Sequence, residues 1–205
     1  MRGEEQVRIE QLLKEVPEGS LSIVRHSSSS QGRTLLTNQF RAKTSGKGRI
    51  ETYALFPGIE ASYNVFLAPR ITFHHAASPS LLELFHCRDG RVGWNMSGGT
   101  SIYLGAGDMT VHSTMCCADS DLLFPLGYAE GISFSVDLQC LIADCPDIAA
   151  EAGVDPAKLQ SRFGTDEPAA IPACPELDRF FVFGSFRDIL SISEAENSRT
   201  VDISE

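Results

Sequence analysis

A chain of 205 residues with 42% apolar and 21% charged side chains carries 12 Phe, 4 Tyr and 1 Trp, enough bulk for a sizeable core, which excludes disorder as its general state. Its net charge of −10 is uneven: nine Lys/Arg against five Asp/Glu leave +4 in residues 1–50, and eight against twenty-two leave −14 in residues 51–205. Grip on a phosphate backbone or an anionic membrane depends on Lys and Arg displacing counterions, so the acidic bulk of the chain excludes both as its own partners.

In chain order, Glu5–Val16 (EQVRIEQLLKEV) sets Val7, Ile9, Leu12, Leu13 and Val16 largely on one face of a helix that Pro17-Glu18-Gly19 ends. After Ile23-Val24 come Ser27–Ser30, then Arg33, Arg41, Lys43, Lys47 and Arg49 among Gly, Thr and Ser. That composition predicts a solvated, mobile loop, so residues 1–50 read as a helix plus a basic segment.

From Pro57 to Leu138 short apolar runs recur: Ala61–Leu67, Leu81–Cys87, Val92–Met96, Ser101–Leu104, Met109–Ser113, Leu122–Leu126 and Ile132–Leu138. Turn signals separate them at Asp89-Gly90, Gly98-Gly99, Gly105-Ala106-Gly107-Asp108, Asp119-Ser120 and Gly127. Short strands punctuated by Gly and Asp predict an antiparallel barrel or sandwich over residues 51–140, with Asp89-Gly90 as the best hairpin turn. Residues 141–205 turn helical. Asp155 caps a helix with Pro156 at its first position that runs to Phe163 and closes at Gly164; Pro175 opens another, with Leu177, Phe180, Phe181 and Phe183 on its apolar face, before a fraying tail.

No uncharged window approaches the length of a membrane span, no signal-peptide core follows Met1, and six cysteines lack any CxxC pair, so a reducing cytoplasm is the expected location. Cys116-Cys117 is expected as a buried pair on either side of a strand. There is no G-x-S-x-G elbow, no activated cysteine and no phosphate-cradling glycine loop, so no catalytic residue is assigned.

Histidine carries most of the chemistry available to a small barrel. Glu83 and Gly90, with six residues between them, and Gly99 ahead of Gly105-Ala106-Gly107 have the glycine and glutamate spacing of the cupin metal motifs. The histidines of those motifs are missing. His74 and His75 are adjacent, so strand alternation sends them to opposite faces, and they lie nine and eight residues before Glu83, too far upstream for the pattern; Thr110 stands where the second motif has His. The expectation is therefore no metal and no cofactor, with His86 and His112 as pocket lining.

Leu82–Arg91 (LELFHCRDGR), Tyr103–Asp108 (YLGAGD) and Phe124–Leu138 (FPLGYAEGISFSVDL), with Pro57–Glu60 and Tyr63–Phe66 upstream, resemble the N-terminal effector domain of AraC-type bacterial transcriptional regulators over roughly residues 55–165. The resemblance implies a mainly β fold: a cupin-like antiparallel barrel, or jelly roll, followed by a small helical segment. It implies a small-molecule effector at the barrel mouth, and Tyr63, Glu83, His86, Trp94 and His112 are the candidate ligand-binding residues. Leu177, Phe180 and Phe181 are the candidate contact of a two-fold homodimer, with packing on their own barrel as the alternative. DNA would be read only by a double helix-turn-helix domain that this chain lacks before Glu205, whether because it is part of a longer regulator or because it kept the sensor alone. No membrane partner is expected. Two other readings compete with this non-enzymatic one: a cupin-type metal-dependent isomerase or dioxygenase, and a stand-alone module that pairs with a full-length regulator.

Overall fold

A computed structural model describes residues 2–26, 41–96, 98–165 and 167–171. Ser27–Ser30, Arg33 and the Pro175 helix with Leu177, Phe180 and Phe181 lie outside the described residues. The elements in chain order are α1 (Arg2–Leu12), β1 (Ser20–His26), β2 (Arg41–Thr44), β3 (Lys47–Phe56), β4 (Ile59–Leu67), β5 (Arg70–His74), β6 (Leu81–Met96), β7 (Ser101–Gly105) and β8 (Met109–Ser113). There follow α2 (Thr114–Cys117), β9 (Asp119–Leu123), β10 (Tyr128–Asp137), α3 (Leu138–Ala143), α4 (Asp147–Glu151), α5 (Pro156–Phe163) and β11 (Ala169–Ile171).

The pairings sort these strands into two faces. One runs β4, β10, the first half of β6, then β8; the other runs β5, β9, the second half of β6, then β7, all antiparallel. Successive strands switch faces in the order that defines a jelly roll, the barrel architecture to which cupins belong. β3 adds to the first face beside β4, β1 pairs parallel with β3, β2 pairs with β5, and β11 pairs with β8. The fold is thus mainly β and cupin-like, with short helices toward the C-terminal side, as the sequence predicts.

Both faces converge on an apolar core built from Phe66, Ile71, Phe73, Phe85, Val92, Trp94, Leu104, Leu122 and Phe124. A second, smaller core lies outside the barrel, where Ile9, Leu13 and Val16 cover Val65 and Tyr128 of β4 and β10. Ile9 and Leu13 are fully buried, a gain of about 1.5–3 kcal/mol each. Val7 and Leu12, expected on the same apolar face, are instead 53% and 41% exposed, because the stripe that reaches the sheet is narrower than the periodicity suggests. α1 is pinned further by Glu130, a buried carboxylate on β10 that pairs with Arg8 and accepts a 2.7 Å hydrogen bond from Tyr63 Oη.

Several local expectations are corrected. The basic run from Arg41 to Arg49 forms β2 and the start of β3 rather than a loop: Arg41–Thr44 pair with β5, and Lys47 to Arg49 continue the register that Ile50 to Phe56 hold with β4. Asp89-Gly90 lies inside β6 and turns no hairpin. Arg88 is an extra residue relative to β10, since Glu130 faces Asp89 while Gly131 faces Cys87, and Gly90 has a φ of +89°. The pair bends one long strand from the first face to the second, meeting the same need for positive φ that a tight turn has. Asp119-Ser120 belongs to β9, where Asp119 reaches His74 across the strands at 2.7 Å and Ser120 faces inward. Cys116 and Cys117 are buried as expected, but in the short helix α2. The Asp155-Pro156 reading holds: Asp155 accepts from Lys158 N at 3.1 Å, and Gly164 N donates to Gln160 O at 2.9 Å. No helix among the described residues is long and apolar enough to cross a membrane.

Candidate functional site

Strand register decides which side chains meet inside the barrel. On the first face Glu60, Ser135, Glu83 and His112 sit side by side on four neighbouring strands, and the next rank is Ser62, Ser133, Phe85 and Thr110. The lumen is therefore polar toward one end. Thr52 Oγ1 lies 2.9 Å from Ser62 Oγ, and Asn64 Nδ2 donates to Ser133 Oγ at 3.0 Å. The second face supplies Phe73, Ser120, Leu122 and Trp94, and between the two faces lies a cavity of about 70 Å³ that Glu83, Asn64 and His75 also line.

Polar atoms around this space lack partners. Trp94 Nε1, Ser120 Oγ and both ring nitrogens of His112 are buried without a hydrogen bond among the described residues. The His112 ring stands edge-on to Trp94 with centroids 4.6 Å apart, and Trp94 meets Phe85 the same way at 6.0 Å. His112 Nε2 lies 3.7 Å from Glu83 Oε2, an ion-pair separation too long for a hydrogen bond. Burial alone would raise the Glu83 carboxyl, but the neighbouring His112 imidazole, with His75 farther off, outweighs it and holds the group below the usual carboxylate range.

α2 follows β8 directly and brings Cys117 to the same corner. Its sulfur is 3.5 Å from His75 Nε2, and one donor atom each of Glu83, His112 and Cys117 lie within 4.8 Å of one another. Contact with the Cys116 thiol, then burial and the Glu83 carboxylate, keep the Cys117 thiol well above its ordinary pKa. The histidines and spacing of the cupin motifs do not reproduce this constellation: Glu83 alone coincides with them, and His112 stands two residues beyond Thr110.

Of the candidate residues, Glu83 and Trp94 line the cavity and His112 packs beside them. His86 is buried, but β6 alternation puts it on the face opposite Glu83 and Phe85. Tyr63 is also misplaced by the sequence reading. It lies on the outer side of β4 under α1, tied to Glu130, while its neighbour Asn64 points into the lumen. Asn64, Ser120, Ser133, His75 and Cys117 were not anticipated. Strand alternation from Phe66 back to Asn64 could have found the first; the others depend on which strands pair.

No protein-family profile matches the chain, and no curated protein matches it. Among solved structures it is similar to a cupin 2 conserved barrel domain protein from Salinispora arenicola CNS-205, at 16% identity over 57% of this chain and 96% of that one, with a TM-score of 0.37. It is also similar to an HTH_3 family transcriptional regulator from Vibrio cholerae at 14% identity, covering 46% of this chain and 50% of that one, with a TM-score of 0.35. A cupin-2 domain containing protein from Shewanella frigidimarina NCIMB 400 overlaps 42% of this chain and 78% of its own at 13% identity and a TM-score of 0.34. This chain spans only half the length of the Vibrio regulator. These are partial overlaps of a barrel, and the architecture rests on the strand order given above.

Proposed function

We propose that this chain is the effector-sensing and dimerisation part of an AraC-type transcriptional regulator, acting in the cytoplasm without covalent chemistry and passing its signal to a helix-turn-helix domain. The observation that carries the reading is a lumenal cavity whose walls present buried, unpartnered donors. Leaving such a group dry and unpaired costs about 1–3 kcal/mol, which a ligand placing an acceptor against Trp94 Nε1 and a hydroxyl or carbonyl against Ser120 recovers. A cavity of about 70 Å³, roughly half the 150 Å³ of an engineered cavity that takes up benzene, suits a small effector.

Transmission follows from the strand that holds His112. β8 turns His112 toward the lumen and, just before it, pairs over residues 109–111 with β11, the last described element before residues 172–205. Ser113 Oγ also donates to Thr165 O at 2.6 Å, fixing the chain that leads there. An effector that binds better to one position of β8 shifts the population of β11 positions by that difference in affinity.

The test is thermal denaturation with a panel of small carboxylates, amides and polyols against wild type and Trp94→Phe. A true effector at a hundred times its Kd adds about 2.7 kcal/mol and raises Tm by roughly 5–10 °C, and the shift is lost in Trp94→Phe. Ligands that stabilise both proteins equally, or a panel that stabilises neither, overturn the assignment of the lumen as the effector site.

A further inference from the structure

We propose that Glu83, His112 and Cys117 form a zinc site at the corner of the lumen, with its open coordination position facing the cavity. The cluster is buried at its centre: His112 is 0% exposed and Cys117 0%, and neither ring nitrogen of His112 has a hydrogen-bond partner among the described residues. The one polar group near Nε2 is the Glu83 carboxylate at 3.7 Å, too far for a hydrogen bond, and a metal ion between the two would satisfy Nε2.

Geometry and donor chemistry agree. A tetrahedral zinc with bonds of about 2.0–2.3 Å sets its ligand atoms roughly 3.3–3.8 Å apart. Glu83 Oε2 and His112 Nε2 are already 3.7 Å apart, and Cys117 Sγ completes the trio within 4.8 Å, so a side-chain rotation of about an ångström closes the site. Carboxylate, imidazole and thiolate together select zinc over magnesium or calcium, which take oxygen alone. Three protein ligands are the number found where zinc keeps a position open.

His75 has the geometry of a positioning residue. Its Nδ1 lies 3.2 Å from the Ala76 carbonyl, which can only accept, so the ring proton is on Nδ1 and Nε2 offers a lone pair to the Cys117 sulfur 3.5 Å away. When the sulfur binds metal, the thiol proton passes to this nitrogen, and Nε2–H then donates to the metal-bound thiolate. The site does not depend on the effector, because metal alone fills it.

The experiment uses the full chain stripped with chelator and titrated first with cobalt alone, then with zinc. One cobalt per chain is expected, with a sulfur-to-cobalt charge-transfer band that zinc abolishes by displacement and that Cys117→Ser lacks. Cys117→Ser and His112→Gln lower zinc affinity by more than about a hundredfold, whereas His75→Gln keeps the band and loses about ten- to a hundredfold, as an outer-shell partner does. Cys116→Ser keeps both band and affinity. Zinc, unlike magnesium, also raises the Tm of wild type, a readout that survives if a variant fails to fold. The site is overturned by absence of the band in wild type, by tight cobalt binding that persists in Cys117→Ser, by loss confined to Cys116→Ser, or by a wild-type Tm indifferent to zinc. None of these results bears on the organic ligand panel, so the metal site and the effector reading fail separately.

Discussion

Trp94 shows how one side chain can serve packing and recognition at once. Its ring makes edge-on contacts with Phe85 and His112, while its N–H has no acceptor among the described residues. The two roles separate under substitution. Trp94→Ala opens a void between the faces and costs about 3–5 kcal/mol, as large-to-small changes at buried aromatics do. Trp94→Phe keeps an aromatic ring and deletes the idle donor, and removing an unsatisfied buried group offsets the lost volume. The expected outcome in denaturant melts of the unliganded protein is therefore a severe loss for Ala and less than about 1.5 kcal/mol for Phe; a Phe variant as unstable as Ala would mean that the N–H has a partner in solution. How far such residues were legible follows from strand parity. Glu83 stood out by its spacing to Gly90, and Trp94 by being the sole Trp. Tyr63 and His86 are each one residue from an inward position, and a shift of one in a strand reverses the face. Cys117 and His75 were illegible as a pair, since they lie 42 residues apart in sequence and meet only through the pairing of β5 with β9 and the turn of α2.

At the scale of elements, β6 and α1 organise the barrel. β6 crosses from one face to the other at Gly90, where a Cβ would sit 2.5 Å from the Tyr128 carbonyl oxygen and where φ is +89°. Both the contact and the dihedral oppose any side chain there. Gly90→Ala is expected to cost more than about 2 kcal/mol in chemical denaturation, whereas Gly98→Ala, with open space around its Cβ, stays within about 1 kcal/mol. The sequence announced the positive φ at Asp89-Gly90 but not its use, because a bulge and a hairpin make the same local demand and differ only in whether the chain continues in the same strand. α1 poses the opposite problem: its burial was legible from Ile9, Leu13 and Val16, while its electrostatic anchor was not. Burial first, then the Glu130 carboxylate that accepts its hydrogen bond, raises the Tyr63 phenol from 10.0 to about 12. A group whose folded pKa is raised stabilises the fold fully below its unfolded value and loses that contribution as pH climbs through the folded one. Stability should therefore fall between about pH 10 and 12, and Tyr63→Phe should flatten that part of the profile relative to wild type. An unchanged alkaline limb in the variant would place the titrating group elsewhere.

For the whole molecule, charge decides what kind of self-association is tenable. Each chain carries −10, so pairing two copies brings like charges together, and the gain must come from apolar contact rather than from complementary ions. The exposed ion pairs of the described barrel do little to change this. Arg70 with Asp121 and Lys158 with Asp155 lie at the surface, where a pair is worth about 0–1 kcal/mol. Under the proposed function the contact is made by Leu177, Phe180 and Phe181, and its salt dependence then has a definite sign. Raising ionic strength from about 0.01 M to 0.15 M shortens the screening length from about 30 Å to 8 Å, which removes repulsion between the two chains while leaving an apolar contact intact. The dimer should accordingly tighten as salt rises, the reverse of an interface held by opposite charges. Sedimentation velocity at the two ionic strengths reads this directly, with Phe181→Asp as the control: wild type shifts toward dimer in the higher salt, and the variant stays monomeric in both. Wild type that sediments as a monomer throughout, or a dimer that dissociates with added salt, would remove the apolar pairing from the proposal and leave the lumenal cavity to stand without it.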